Sequence, residues 1–420
     1  MQFDLNNKNI LLAVTGSISA YKACDIARLF VNSGANVYVV MSRSACRFIS
    51  PLTFEALTRN SVLTDDSESW ATDLNHIEIG KKCDIMLIAP ATANTINKLS
   101  KGIADNILLQ SALAFNKPII IAPSANSQML ENHYTVGSLK MLAVNDCQIV
   151  EPQTKLLACG DVGKGALASI DEIYHSSVLS LYQDEFWRDR KVVVTGGGTI
   201  EKIDEIRYIS NFSSGKMAES LVLALYSRGA DVCYITTKKD IELPKGVYII
   251  EVESAKEMFD YTIDAVRVAK KGKMSRATMN SSEPIHLIQK EPFLFMVSAV
   301  ADYTPKFPQS GKMKKSMIGE EWSLELTQTE DILSNINRDG IKVIGFKAEM
   351  DGDSGFDSAK SMLRDKKLDY VCFNLLKDSK SFGSDDNEIV LISEDGEIDL
   401  GRDSKLNLSL KILDNLSSDI

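Results

Sequence analysis

Along the first hundred positions, unbroken apolar runs alternate with stretches whose apolar residues recur at helical spacing. Ile10–Val14 (ILLAV) is a continuous apolar run, the pattern of a strand covered on both faces. Thr15-Gly16-Ser17-Ile18-Ser19-Ala20 follows, and Tyr21–Asn32 then places Ile26, Leu29 and Phe30 on one helical face. Gly34 ends that helix, and Val37–Met41 reads as the second strand. Ile85–Ala89 and Pro118–Ala122 read as later strands, separated by a helical stretch around Asn106–Phe115. Such βαβ alternation predicts a parallel sheet with helices on both faces.

The pattern then repeats. Lys191–Thr195 (KVVVT) runs into Gly196-Gly197-Gly198, a helix is expected over about Lys216–Arg228, Gly229 stops it, and Val232–Thr236 forms the next strand. NSGANVYVVMS and SRGADVCYITT occupy matching places in the two copies. Val14 to Gly34 spans 20 residues, whereas Val194 to Gly229 spans 35, so the second copy carries a longer loop, Thr199–Gly215, between strand and helix. Ligands bind on such loops at the carboxyl ends of parallel strands. Further strands are expected at Phe293–Ala299, Val343–Phe346, Tyr370–Phe373 and Ile389–Ile392. The fold class is therefore α/β, two Rossmann-like domains with mainly parallel sheets. The charged segment Tyr182–Arg190 divides them into residues 1–189 and 190–420, and polar, aperiodic Lys270–Pro284 reads as a mobile loop.

Composition narrows the classes. The 420 residues, 44% hydrophobic and 25% charged, are those of soluble globular domains. With 47 basic and 57 acidic residues the net charge is −10, a field that repels DNA and anionic bilayers, so neither nucleic acid nor membrane is an expected partner. Seven cysteines without a CxxC pair form no disulfide framework. No apolar run approaches the ~20 residues of a membrane span, and no signal peptide is read at the start, which points to the cytosol.

Both glycine turns suit a phosphate, because each offers unpaired N–H groups at a helix N-terminus. Neither reads GxGxxG, and the Gly215-Lys216 pair has Ser210 where a P-loop has its first glycine. The second strands end in Ser42-Arg43 and Thr237-Lys238 rather than in an acid for a ribose, which argues against NAD. A mononucleotide such as FMN, or a nucleotide held by basic residues, stays open. Three further clusters follow strand ends: Asn75-His76-Ile77-Glu78, Pro123-Ser124-Ala125-Asn126-Ser127, and Ala158-Cys159-Gly160-Asp161 with Gly163 and Gly165. Cys159, among glycines and an acid, has the setting of an exposed thiol able to donate a proton. Cys24, Cys46, Cys83, Cys147, Cys233 and Cys372 lie in or beside apolar patterns and read as inert, and no His/Cys spacing matches a zinc site.

GSISAYK, NHIEIGKKCDIMLIAPATANTINKLSKGIADN, PSANSQM and ACGDVGKG together resemble the homo-oligomeric flavin-containing cysteine decarboxylases. TGGGTIEKIDEIRYISNFSSGKMA, SAVADYTP, KMKK and GFKAE resemble phosphopantothenate–cysteine ligase, and the fusion in this order is similar to the bifunctional proteins of coenzyme A biosynthesis. The resemblance implies that the FMN phosphate sits on Gly16, Ser17 and Ser19, with Ser42, Thr92 and Asn94 as further flavin contacts. It implies Cys159 as proton donor, His76 as the histidine of oxidative decarboxylation, and Asn126 as the group that binds the carboxylate of 4′-phosphopantothenoylcysteine. Oxidation at the thiol-bearing carbon supplies a thioaldehyde electron sink for loss of CO2, and no net redox change results.

For the second half the resemblance implies a CTP-dependent ligase joining L-cysteine to 4′-phosphopantothenate through an acyl-cytidylate. Asn211 matches the residue that holds this intermediate and Lys312 the lysine that converts it. Asp302, Glu330, Asp331, Ile332, Leu333, Phe346 and Lys366 match CTP contacts, with Mg2+ expected near Asp302. It also implies trimers of the decarboxylase unit and dimers of the ligase unit, combined into a dodecamer. Three positions depart from the families: Ala125 for Met, Glu330 for Pro and Met362 for Lys, with Lys347 a candidate to compensate. The attached ligase disfavours a decarboxylase of peptide cysteines or a flavin prenyltransferase. Cys159, His76 and Asn126 together disfavour a non-catalytic FMN-binding subunit.

Overall fold

The structure, a computed structural model, describes residues 2–157, 160, 162–239, 242–279, 284–314, 321–350, 352–375 and 383–418. Five strands, β1 (Asn9–Val14), β2 (Asn36–Met41), β3 (Ile85–Ala91), β4 (Ile119–Pro123) and β5 (Gln148–Ile149), form a parallel sheet in the order β2-β1-β3-β4-β5. Ile10 to Val14 are each 0% exposed, which is why no polar residue interrupts the run. Helix Lys22–Asn32 turns Ala23, Ile26, Ala27 and Phe30 inward, and Gly34 follows it at φ 91°. The strand order reverses between β1 and β3, and such a reversal opens a crevice above the strand ends. A hairpin of β6 (Gln153–Leu156) and β7 (Val162–Ala166) comes after the sheet.

The second copy builds an eight-stranded sheet. From edge to edge its strands are Tyr248–Glu251, Asp231–Thr236, Lys191–Gly196, Phe293–Met296, Lys342–Glu349, Tyr370–Leu375, Asp386–Ile392 and Glu397–Ser404. Neighbours are parallel up to Tyr370–Leu375, and the last two strands add on antiparallel. Contacts group the chain into two units, Gln2–Tyr182 with Ser275–His286, and Gln183–Met274 with Leu287–Ile420.

Four details differ from the sequence reading. The strand expected over Phe293–Ala299 ends at Met296, because Ala299 instead exchanges backbone bonds with Gly197 and Thr199 on the glycine loop (2.8 and 3.3 Å). The long loop Thr199–Gly215 contains an antiparallel ribbon, Ile200–Lys202 with Tyr208–Ser210. The segment read as a loop from Lys270 carries Lys273–Met274, which pairs with Leu287–Ile288, while residues 280–283 lie outside the described set. The strand Glu397–Ser404 went unread because it is a largely exposed edge without an apolar run.

Candidate active sites

A cavity of about 790 Å³ opens at the β1/β3 reversal, lined by Gly16, Ser17, Ser19, Ser42, Thr92, Asn94 and Asn126 among others. Thr15 ties its floor together: its hydroxyl donates to the Pro90 carbonyl (2.6 Å) and accepts from the Thr92 N–H (3.0 Å). Thr92 caps helix Ala93–Leu99 through the Thr95 N–H. Ser124, at the end of β4, was not singled out as a ligand by the sequence. Its hydroxyl lies 2.9 Å from that of Ser19 and 3.4 Å from that of Ser17, and all three residues are at most 9% exposed. Three rotatable hydroxyls make a donor set that fits a phosphate monoester, as FMN requires, and Lys22, Arg43, Lys98 and Lys155 lie on the same lining, Arg43 paired with Asp66 and Lys98 with Asp105.

Asn126 caps helix Ser127–Glu131, its Oδ1 accepting from the Gln128 N–H at 2.9 Å. The β6–β7 hairpin rests against this turn: the Ala125 N–H donates to the Gly165 carbonyl at 3.2 Å. A Cβ on Gly165 would stand 2.2 Å from the Ala125 carbonyl oxygen, so only glycine permits the approach. Leu156 and Leu157 of the hairpin line the cavity, whereas Cys159, between the two strands, lies outside the described residues. His76 begins helix His76–Lys82 and is not on the cavity lining; its Nδ1 lies 2.8 Å from Glu68 Oε1.

The second cavity, about 710 Å³, gathers Asn211, Asp302, Glu330, Asp331, Ile332, Leu333, Phe346 and Lys366. Asn211 is held by its Nδ2 donating to the Val300 carbonyl at 3.0 Å. Gly198 makes room for that segment, since a Cβ there would lie 2.7 Å from the Asn211 carbonyl oxygen. Asp331 caps helix Ile332–Asn335 and pairs with Lys366 at 2.9 Å. Burial alone would raise the Asp331 carboxyl, but the Lys366 ammonium and the Ser334 N–H outweigh it and hold it below the ordinary value. Lys347 also lines the cavity and pairs with Glu349 at 2.9 Å.

Lys405 lines this cavity too, only 5% exposed, its amine pushed down by burial and by the nearby Lys216 charge. No local pattern at the start of helix Lys405–Ser418 marks it in the sequence. Of the three departures, Glu330 is an exposed lining residue, Met362 lies over Gly345, whose Cβ would meet its methyl at 2.8 Å, and Ala125 abuts Gly165. Lys312 is exposed and is not on the lining. The next residue is clasped: the Met313 N–H donates to Asp204 and its carbonyl accepts from Arg207, both at 3.2 Å. Arg207, backed by N–H groups of the turn, holds the Asp204 carboxyl well below the usual carboxylate range.

The six described cysteines are free, and burial pushes Cys83 up to about 12 and Cys147 and Cys233 to about 11, as inert thiols require. Among the described residues no group of three or more His, Cys, Asp or Glu is placed to hold a metal, and no helix is long and apolar enough to cross a membrane.

Residues 2–181 match the family model described as Flavoprotein. Residues 187–277 and 261–420 match that of the DNA/pantothenate metabolism flavoprotein C-terminal domain. The coenzyme A biosynthesis bifunctional protein CoaBC of Bacillus subtilis (strain 168) is 35% identical over 427 aligned positions, covering 99% of this chain and 98% of that protein. That of Haemophilus influenzae is 33% identical, covering 98% of each. A solved PPC decarboxylase mutant, complexed with pantothenoylaminoethenethiol, is 31% identical over 41% of this chain and 97% of its own, with TM-score 0.38. Two domain matches in the same order and relatives similar from end to end place the chain in the family of coenzyme A biosynthesis bifunctional proteins, decarboxylase first and ligase second.

Proposed function

We propose that the chain converts 4′-phosphopantothenate to 4′-phosphopantetheine in two steps, one per cavity, in the cytosol. In the second cavity CTP activates the substrate carboxylate as an acyl-cytidylate with release of pyrophosphate, and the amine of L-cysteine then displaces CMP. Asn211 holds the acyl-cytidylate and Lys312 serves its conversion. Asp302, Phe346, Lys366 and residues 330–333 hold CTP, and Mg2+ arrives with the triphosphate, beside Asp302, rather than in a cage of protein ligands.

In the first cavity 4′-phosphopantothenoylcysteine loses its carboxylate. FMN, its phosphate on Ser17, Ser19 and Ser124, supplies a reversible hydride acceptor for the thiol-bearing carbon. Asn126 orients the substrate carboxylate, His76 serves the decarboxylation step, and Cys159 supplies the proton that completes the product. Trimers of the first unit and dimers of the second, joined in a dodecamer, complete the sites. A site shared between subunits accounts for His76 lying off the lining of its own chain's cavity.

What supports this reading most is the convergence, from four separate segments, of Gly16, Ser17, Ser19, Ser42, Thr92, Asn94 and Asn126 around one cavity. Purified protein should be yellow, and should form 4′-phosphopantetheine from 4′-phosphopantothenate, cysteine, CTP and Mg2+. Protein that takes up no FMN and makes no product under these conditions would refute it.

A further inference from the structure

His76 is held at its backbone and at its ring. Behind it, Asn75 is 1% exposed, and its Oδ1 accepts from the N–H groups of Ile77 and Glu78, both at 3.0 Å. In front, the chain after Leu63 closes a tight turn. The Ser67 hydroxyl donates to the Val62 carbonyl and accepts from the Thr64 N–H, both at 2.8 Å, and the Ser67 N–H donates to Thr64 Oγ1 at 3.1 Å. The Ser69 N–H then donates to the Leu74 carbonyl at 2.8 Å, folding the segment back so that Glu68 meets His76. Glu68 Oε1 and His76 Nδ1 stand 2.8 Å apart, with side chains only 27% and 22% exposed, and the Trp70 ring meets the imidazole edge-on at 5.7 Å.

An ionised carboxylate can only accept, so this contact places the proton on Nδ1 and leaves Nε2 as the nitrogen that exchanges a proton elsewhere. We propose that Glu68 is the positioning residue for His76: it fixes the ring and its Nδ1–H tautomer, so that Nε2 is the atom presented to the decarboxylation chemistry. The proposal rests on the assignment of His76 to that step. Its physical content is the removal of one tautomer and of ring rotation before substrate arrives, the role a carboxylate plays behind a working histidine.

The test measures decarboxylation of 4′-phosphopantothenoylcysteine by the FMN-loaded full chain, with cysteine ligation as the control for folding. Glu68→Ala should lower kcat by about tenfold or more with KM nearly unchanged and ligation intact. Glu68→Gln, whose carbonyl still accepts from Nδ1–H, should recover most of the rate. His76→Asn should be inactive in decarboxylation. A fully active His76→Asn would remove the assignment on which the proposal rests. An inactive His76→Asn beside a fully active Glu68→Ala, or equal losses in the Ala and Gln variants, would overturn the proposal alone. A second measurement reads the native protein, sedimented and labelled with 15N-histidine, and uses a His76→Asn spectrum only to assign one signal among the four histidines. A protonated Nδ1 and a bare Nε2 are expected, and the reverse would overturn the proposal.

Discussion

On the proposed function Ser17, Ser19 and Ser124 would hold the FMN phosphate, and their effects should be separable. Ser124→Ala leaves the backbone and two hydroxyls in place, so it should weaken FMN binding by about fivefold, the equivalent of one hydrogen bond of about 1 kcal/mol. Fluorescence titration of apoprotein with FMN measures it, and an unchanged Kd would count against the three-hydroxyl anchor. Burial pushes His175 down to about 4, with Asp171 opposing, so the ring is neutral in the fold. Its ordinary value is 6.5, so between pH 6.5 and 4 the unfolded chain binds more protons and acidification destabilises the native state. Protection factors across Ile170–Tyr182, taken from hydrogen exchange relative to the intrinsic rate at each pH, should therefore fall as the pH drops through this interval, and a His175→Gln variant should lose that part of the pH dependence. In the second cavity Met362→Lys would add a fourth lysine to a lining that holds Lys347, Lys366 and Lys405 and should tighten CTP binding, read by calorimetry. An unaltered Kd would mean that the lining does not feel the triphosphate at this point.

Among the elements, strands with both faces covered were legible and largely exposed ones were not. Ile10–Val14, Val37–Met41, Ile85–Ala89 and Val232–Thr236 stand within strands because a doubly covered strand admits few polar side chains. Gln153–Leu156 and Val162–Ala166 are mostly exposed, so their pairing left no apolar signature. That hairpin nevertheless meets the turn that leads into Asn126, and it does so through Gly165. Gly165→Val should push the hairpin off the Ala125 carbonyl and lower decarboxylation by an order of magnitude or more, with ligation unchanged. Parallel assays of the two half-reactions test this, and an equal loss of both would point to general unfolding.

At the scale of the whole molecule, the two cavities belong to two units with separate sheets and separate cores, which makes their chemistries separable. Cys159→Ala should stop decarboxylation and leave ligation at its normal rate, with 4′-phosphopantothenoylcysteine accumulating in product analysis. Loss of both activities would contradict independent sites. By itself the sequence determined the two βαβ units, their glycine turns and their order, since an apolar run, a helical period and a positive-φ glycine are properties of neighbouring residues. It also carried, through family resemblance, most of the residues that line the cavities. Only the tertiary structure decided that Ser124 joins Ser17 and Ser19, that Lys405 faces the second cavity, that His76 stands off the lining and that Glu68 backs it. Those meetings depend on strand order and on how far each turn carries the chain, and no local spacing encodes either.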